Sequence, residues 1–184
     1  EVIRDLMEQM IADVWVSDCF SAQMKAPARN FQICLQHQLR DLKRILERLP
    51  ESAWTTQIRK LFREAIHLNN RMIGPSADLT LNGFHRRVSE IGNRLDRLLG
   101  DQLTDSDEIR LQNRFRLHRE KLLTFLDYPG VPPTNNASEQ AIRTSVIHRK
   151  VTNGFRSEWG AKAYADLLSV ISTSKIKGKR VFET

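Results

Sequence analysis

The chain has 184 residues, with 29 Lys and Arg against 22 Asp and Glu, a net charge of +7 and a pI near 9.8. That length can bury one good core with a second helical subdomain, and the basic balance favours an anionic partner. Two cysteines exclude a disulfide framework. With no signal-peptide pattern, bilayer-length apolar run or low-complexity tract, the composition fits a reducing cytoplasmic or nucleoid setting away from membranes.

Taken in chain order, Val2, Ile3, Leu6, Met7, Met10 and Ile11 recur at helical spacing. The β-branched and aromatic run Val14-Trp15-Val16 then predicts a short buried strand ending at Asp18. In open α/β sheets, ligand-binding residues gather beyond the carboxyl ends of strands, and Asp18 stands at such an end. Cys34-Leu35-Gln36-His37 follows, with Arg40, Asp41, Lys43 and Arg44 close behind. Cys34 and His37 have ligand-type side chains, but a structural zinc site needs four ligands and no second pair is spaced for it. Packing of both side chains in the interior is the alternative.

The middle of the chain reads as helical. Leu39, Leu42, Ile45, Leu46 and Leu49 form one stripe that stops at Pro50. Trp54, Ile58, Leu61, Phe62 and Ile66 form a second, after Glu51-Ser52 and before Gly74-Pro75-Ser76. Val88, Ile91, Leu95 and Leu98 form a third, ending near Gly100, with an acidic cap region over Asp101 to Asp107. Leu111, Phe115, Leu122 and Phe125 form a fourth, ending before Tyr128-Pro129-Gly130. His67, His85 and His118 share no ligand spacing and read as surface or structural residues. The groups Arg86-Arg87 and Arg114/Arg116/Arg119 could reach an anionic polymer, although solvated helix faces are the default reading of such charges.

Residues 132–160 concentrate the chemistry. Asn135 or Asn136 can cap a helix, and Glu139 then falls in its first turn, where an acid suits the helix dipole. Arg143, His148, Arg149 and Lys150 follow. Two readings stand side by side at Glu139: a carboxylate placed for a metal-dependent phosphodiester reaction, and a capping-box glutamate on an ordinary basic helix. Charge favours contact with a nucleic-acid backbone here. Residues 36–126 hold seventeen basic and twelve acidic groups, and residues 139–184 hold nine and four.

In their order, a strand ending in Asp18, Cys34-x-x-His37, a long helical stretch, and Asn135-Asn136-x-x-Glu139 resemble the C-terminal part of the IS66-type transposases. Arg149-Lys150, a loop at Asn153-Gly154-Phe155 and Gly160-Ala161 opening a final helix extend the likeness, which runs from about residue 10 to 178. That family belongs to the DDE transposases. The resemblance implies an α/β fold, predominantly helical overall: a partial ribonuclease-H-like core with a large all-α insertion. Residues 1–37 and 128–184 would form parts of the core, and residues 38–127 the insertion.

The resemblance also implies roles. Asp18 and Glu139 would be catalytic acids and metal ligands in a two-metal site for Mg²⁺ or Mn²⁺. Cys34, His37, Asn135 and Asn136 would shape that site, while Arg143, Arg149, Lys150 and Arg156 would neutralise DNA phosphates. The partners would be element ends and target DNA, within a homo-oligomeric transposition complex. The family's first catalytic aspartate lies further upstream, so the chain is expected to be a catalytic fragment with little turnover alone. A non-catalytic basic DNA-binding remnant and a helical protein-interaction module are the competing classes.

Overall fold

A computed structural model of the protein describes residues 10–19, 21–73 and 80–180. The expected helix over Val2 to Met7 lies outside them. Met10 and Ile11 are exposed and not helical, and lead directly into the first strand. The chain divides into two compact units, Glu1–Asn135 and Asn136–Thr184.

In the first unit, strand β1 spans Ala12–Ser17, as Val14-Trp15-Val16 predicts. Those three residues are only half-buried, so the strand is less enclosed than expected. Its partner β2, Ala28–Ile33, runs parallel to it, with Ala12 opposite Ala28 and Ser17 opposite Ile33. The second strand is hard to see in the sequence because Arg29, Asn30 and Gln32 interrupt its apolar pattern. A 3-10 turn at Gln23–Lys25 lies between the strands.

Four helices follow: α1, Leu35–Arg48; α2, Ala53–Ile73; α3, Leu81–Gly100; and α4, Ser106–Leu117. Their apolar stripes are those of the sequence, and three of their starts have side-chain caps. Ser52 Oγ accepts from Thr55 N, Thr80 Oγ1 from Gly83 N, and Asp105 from Asp107 N and Glu108 N. Side chains also satisfy carbonyls at the end of α3. Trp54 Nε1 and Gln112 Nε2 donate to Leu98 O, and Arg116 Nε donates to Leu99 O.

The fourth stripe is not one helix. α4 stops at Leu117, and Leu122 and Phe125 sit instead on or beside two 3-10 turns, Arg119–Lys121 and Thr124–Leu126. The sheet edge explains the break. Thr124 Oγ1 donates to Phe31 O, Gln32 Nε2 donates to Leu122 O, and Phe125 N donates to Gln32 Oε1. A continuing helix would use those backbone groups internally, whereas the turns cover β2 and blunt its edge.

Strands and helices share one core. Ile33 and Leu35 pack in the same cluster as Leu42, Ile58, Leu61, Phe62, Leu95, Phe115 and Phe125. Phe62 meets Phe115 edge-on at 5.4 Å, and Trp54 stacks on Phe115 at 6.5 Å.

The second unit is a pair of helices: α5, Asn136–Thr152, and α6, Glu158–Ile176. Asn153 and Gly154 take positive φ (56° and 96°) at the turn between them, which ends α5. Ser157 Oγ then caps α6 by accepting from Gly160 N, so the final helix opens just before Gly160-Ala161. Among the described residues, no helix is long and apolar enough to cross a membrane.

Candidate functional site

Parallel pairing brings the carboxyl ends of β1 and β2 together. Ser17 faces Ile33 in register, and Cys34 N donates to Ser17 O at 2.7 Å. Asp18 and Cys34 therefore leave their strands side by side. Asp18 enters the loop after β1, and Cys34 stands at the N-cap of α1, fully buried. His37 lies in the first turn of α1, half-buried.

Cys34 is a junction. Leu35 N donates to Pro133 O at 2.9 Å, and Asn135 N donates to Cys34 Sγ at 3.4 Å. The segment that leads into the Asn135-Asn136 pair is thus tied to the end of β2. Asn135 is the residue before α5, where a capping side chain would stand. Its Oδ1, however, is sealed from solvent with no hydrogen-bond partner among the described residues.

Gln38 is a residue that sequence reasoning missed. It is buried one turn after Cys34, its Nε2 lying 3.5 Å from Cys34 O and 3.7 Å from Cys19 Sγ. Its Oε1 is likewise sealed without a partner among the described residues. The only signal for it was its place four residues beyond Cys34, on the same helix face. Asn135 Oδ1 and Gln38 Oε1 are hard oxygen acceptors of the kind a divalent cation or its bound waters take.

The thiols are not built as nucleophiles. Burial pushes the Cys19 thiol up from its usual value, and the Asp18 charge adds to this; Arg114 and the Gln38 hydrogen bond only partly oppose it. Cys34 Sγ is engaged by the Asn135 amide. Among the described residues, no group of three or more His, Cys, Asp or Glu side chains is arranged to hold a metal ion.

Glu139 belongs to the second unit and sits, half-buried, in the first turn of α5, as the helix pattern requires. Arg143 and Lys150, four and eleven residues on, fall on the same face of α5, and Arg149 lies about 80° away from it. Arg143, Arg149, Lys150 and, on the turn before α6, Arg156 are all exposed. None of these four has an ion-pair partner among the described residues. His148 falls about 180° from Glu139 and does not join them. It stacks on Tyr164 at 4.3 Å and on Phe155 at 5.1 Å, holding α5 to α6.

A family model described as the IS66 transposase family matches residues 1–163. No curated protein and no solved structure matches the chain.

Proposed function

The chain belongs to the IS66 transposase family, and from that premise we propose that it carries part of a DDE catalytic centre that cleaves and joins DNA. In this reading β1 and β2 belong to a partial ribonuclease-H-like core, residues 38–127 form a helical insertion, and residues 128–184 return to the core. The observation that carries it is Asp18 at the carboxyl end of a parallel strand, next to the Cys34 junction that anchors the Asn135 segment.

Asp18 and Glu139 are the carboxylates that would hold Mg²⁺ or Mn²⁺. Their hard oxygens suit such ions, which need only a few protein ligands because they keep several waters. When bound, the ions would activate a water or a 3′-hydroxyl and stabilise the departing 3′-oxygen. Cys34 and Gln38 hold the strand ends, and Asn135 and His37 line the same region. Arg143, Arg149, Lys150 and Arg156 neutralise phosphates, which positions DNA without reading its sequence. The working form would be an oligomer on element ends and target DNA, at the bacterial nucleoid.

A second reading, a basic DNA-binding module without catalysis, draws on the lack of a three-ligand cluster among the described residues. The test is Mg²⁺-dependent nicking of duplex DNA bearing the element ends by the intact protein. Asp18→Ala and Glu139→Ala should each reduce nicking by more than the roughly 100-fold effect of removing an outer hydrogen-bond partner of a metal ligand, with DNA binding retained. Nicking that survives Glu139→Ala would leave Glu139 a helix cap and favour the second reading.

A further inference from the structure

The outer face of α2 carries Arg59, Arg63, His67 and Arg71 at a strict spacing of four residues, with Lys60 beside them. Four residues of helix rise about 6 Å and turn about 40° past a full turn, so the row spans about 18 Å along the helix while winding about 120° around it. Two clefts lie on this row. One, of about 390 Å³, includes Arg59, Lys60 and Arg63. The other, of about 360 Å³, is shared with α3 and adds Arg71, Arg86, Arg87 and Arg94. Both are lined by Glu64 and His67, so the two clefts adjoin at these residues along an α2/α3 groove.

The charges in the groove do not cancel. Glu64 is taken by Arg94 at 2.5 Å and Glu90 by Arg86 at 3.8 Å. Arg59, Lys60, Arg63 and Arg87 keep no ion-pair partner among the described residues. A cleft of about 490 Å³ between α1 and α4 provides the contrast. It is also rich in arginine, yet Arg44 and Arg114 both pair with Asp41, and Arg110 pairs with Asp107. Each arginine of that cleft has a carboxylate partner. The α2/α3 groove retains the unpaired cations Arg59, Lys60, Arg63 and Arg87, of which the last three are exposed, beside an apolar floor that includes Leu68 and Ile91.

We propose that the α2/α3 groove is a docking track for the phosphate backbone of duplex DNA, built from residues other than Asp18 and Glu139. The proposal rests on the transposase reading and assigns the protein a further DNA contact on its helical region. The form of the groove favours a polymer over a small anion. Arg59 and Arg63 stand about 6 Å apart along α2 and Arg87 lies on α3, rather than all converging on one point. Contacts of this kind fix register and orientation and carry no base readout.

The test is fluorescence anisotropy of a labelled duplex with the full chain across a series of NaCl concentrations. Arg59→Gln/Arg63→Gln/Arg87→Gln should weaken binding roughly tenfold or more at low salt, and the plot of log affinity against log salt should become shallower by about 0.9 for each phosphate left without its cation. Unchanged thermal melting would show that the fold is intact, and the corresponding triple Lys variant should restore most of the slope. Arg44→Gln/Arg110→Gln, which removes arginines that already have carboxylate partners, should leave the slope as it is.

Wild-type affinity and slope in the triple Gln variant would overturn the proposal. So would a loss confined to polyglutamate binding, which would mark the groove as a site for acidic protein. The transposase reading fails separately. If nicking is abolished by Asp18→Ala but the triple Gln variant binds normally, only the groove proposal falls. If the triple Gln variant loses slope while the intact protein never nicks DNA, only the catalytic reading falls.

Discussion

Asp105 ties the start of α4 to the end of α1. It caps α4 through the backbone amides of Asp107 and Glu108, and both its oxygens are held by Arg48 at the end of α1, at 2.7 and 2.8 Å. The hydrogen bond from Arg48, helped by the two amides, lowers its carboxyl pKa from 3.8 to about 2. A depressed carboxylate stabilises the fold fully above its ordinary value, and the contribution disappears as pH falls through the depressed one. Thermal unfolding of wild type and Asp105→Ala should therefore differ at neutral pH, and the difference should shrink between about pH 4 and pH 2. A gap that stays constant down to pH 2 would mean that the charge of Asp105 is not what matters. The cap was legible in the acidic stretch after Gly100. Its partner was not, because Arg48 lies 57 residues away and only packing brings it there.

At the scale of elements, β2 and the 3-10 turns illustrate why one strand and one helix end escaped the sequence. Periodicity registers an element when burial follows a single face. Gln32 is fully buried despite being polar, because Leu122 O and Phe125 N satisfy its side chain. The same bonds hold the turns that replace the helical run that Leu111, Phe115, Leu122 and Phe125 suggest, so one buried amide contributes to both misreadings. Gln32→Ala should cost about 3 kcal/mol in denaturant unfolding, since it strands two buried backbone groups and opens a cavity. A loss under about 1 kcal/mol would show that water replaces the amide at little cost. By contrast, the stripes of α1, α2 and α3 were readable, because each buries a mostly apolar face at helical spacing.

For the molecule as a whole, the sheet is not a separate module from the helices that follow it. Ile33 and Leu35 share a core with Phe62, Leu95 and Phe115. Phe62→Ala should cost roughly 3–5 kcal/mol. Amide hydrogen exchange should then accelerate together in β2, α2 and α3, as expected of one cooperative unit. Acceleration limited to α2 and α3 would mean that the strands fold independently. The second unit has a different character. Among the described residues of α5 and α6 only Ser174 is buried, and the aromatic group of His148, Phe155 and Tyr164 joins the two helices.

The sequence by itself determined the family, through the ordered motifs at Asp18, Cys34-x-x-His37 and Asn135-Asn136-x-x-Glu139. It also determined the helical stripes, the helix that carries Glu139 and the basic balance, because all of these depend on residue type and local spacing. Tertiary structure alone decided that Cys34 anchors the Asn135 segment and that Gln38 sits beside it. It also decided which arginines are neutralised: Arg114 is clamped to Asp41 and Arg119 to Asp96, whereas Arg59, Arg63 and Arg87 keep their charge unpaired among the described residues. The physical reason is common to all of these cases. Hydrogen bonds and ion pairs are made between groups distant in the chain, and no local pattern records which of two similar side chains will meet its partner.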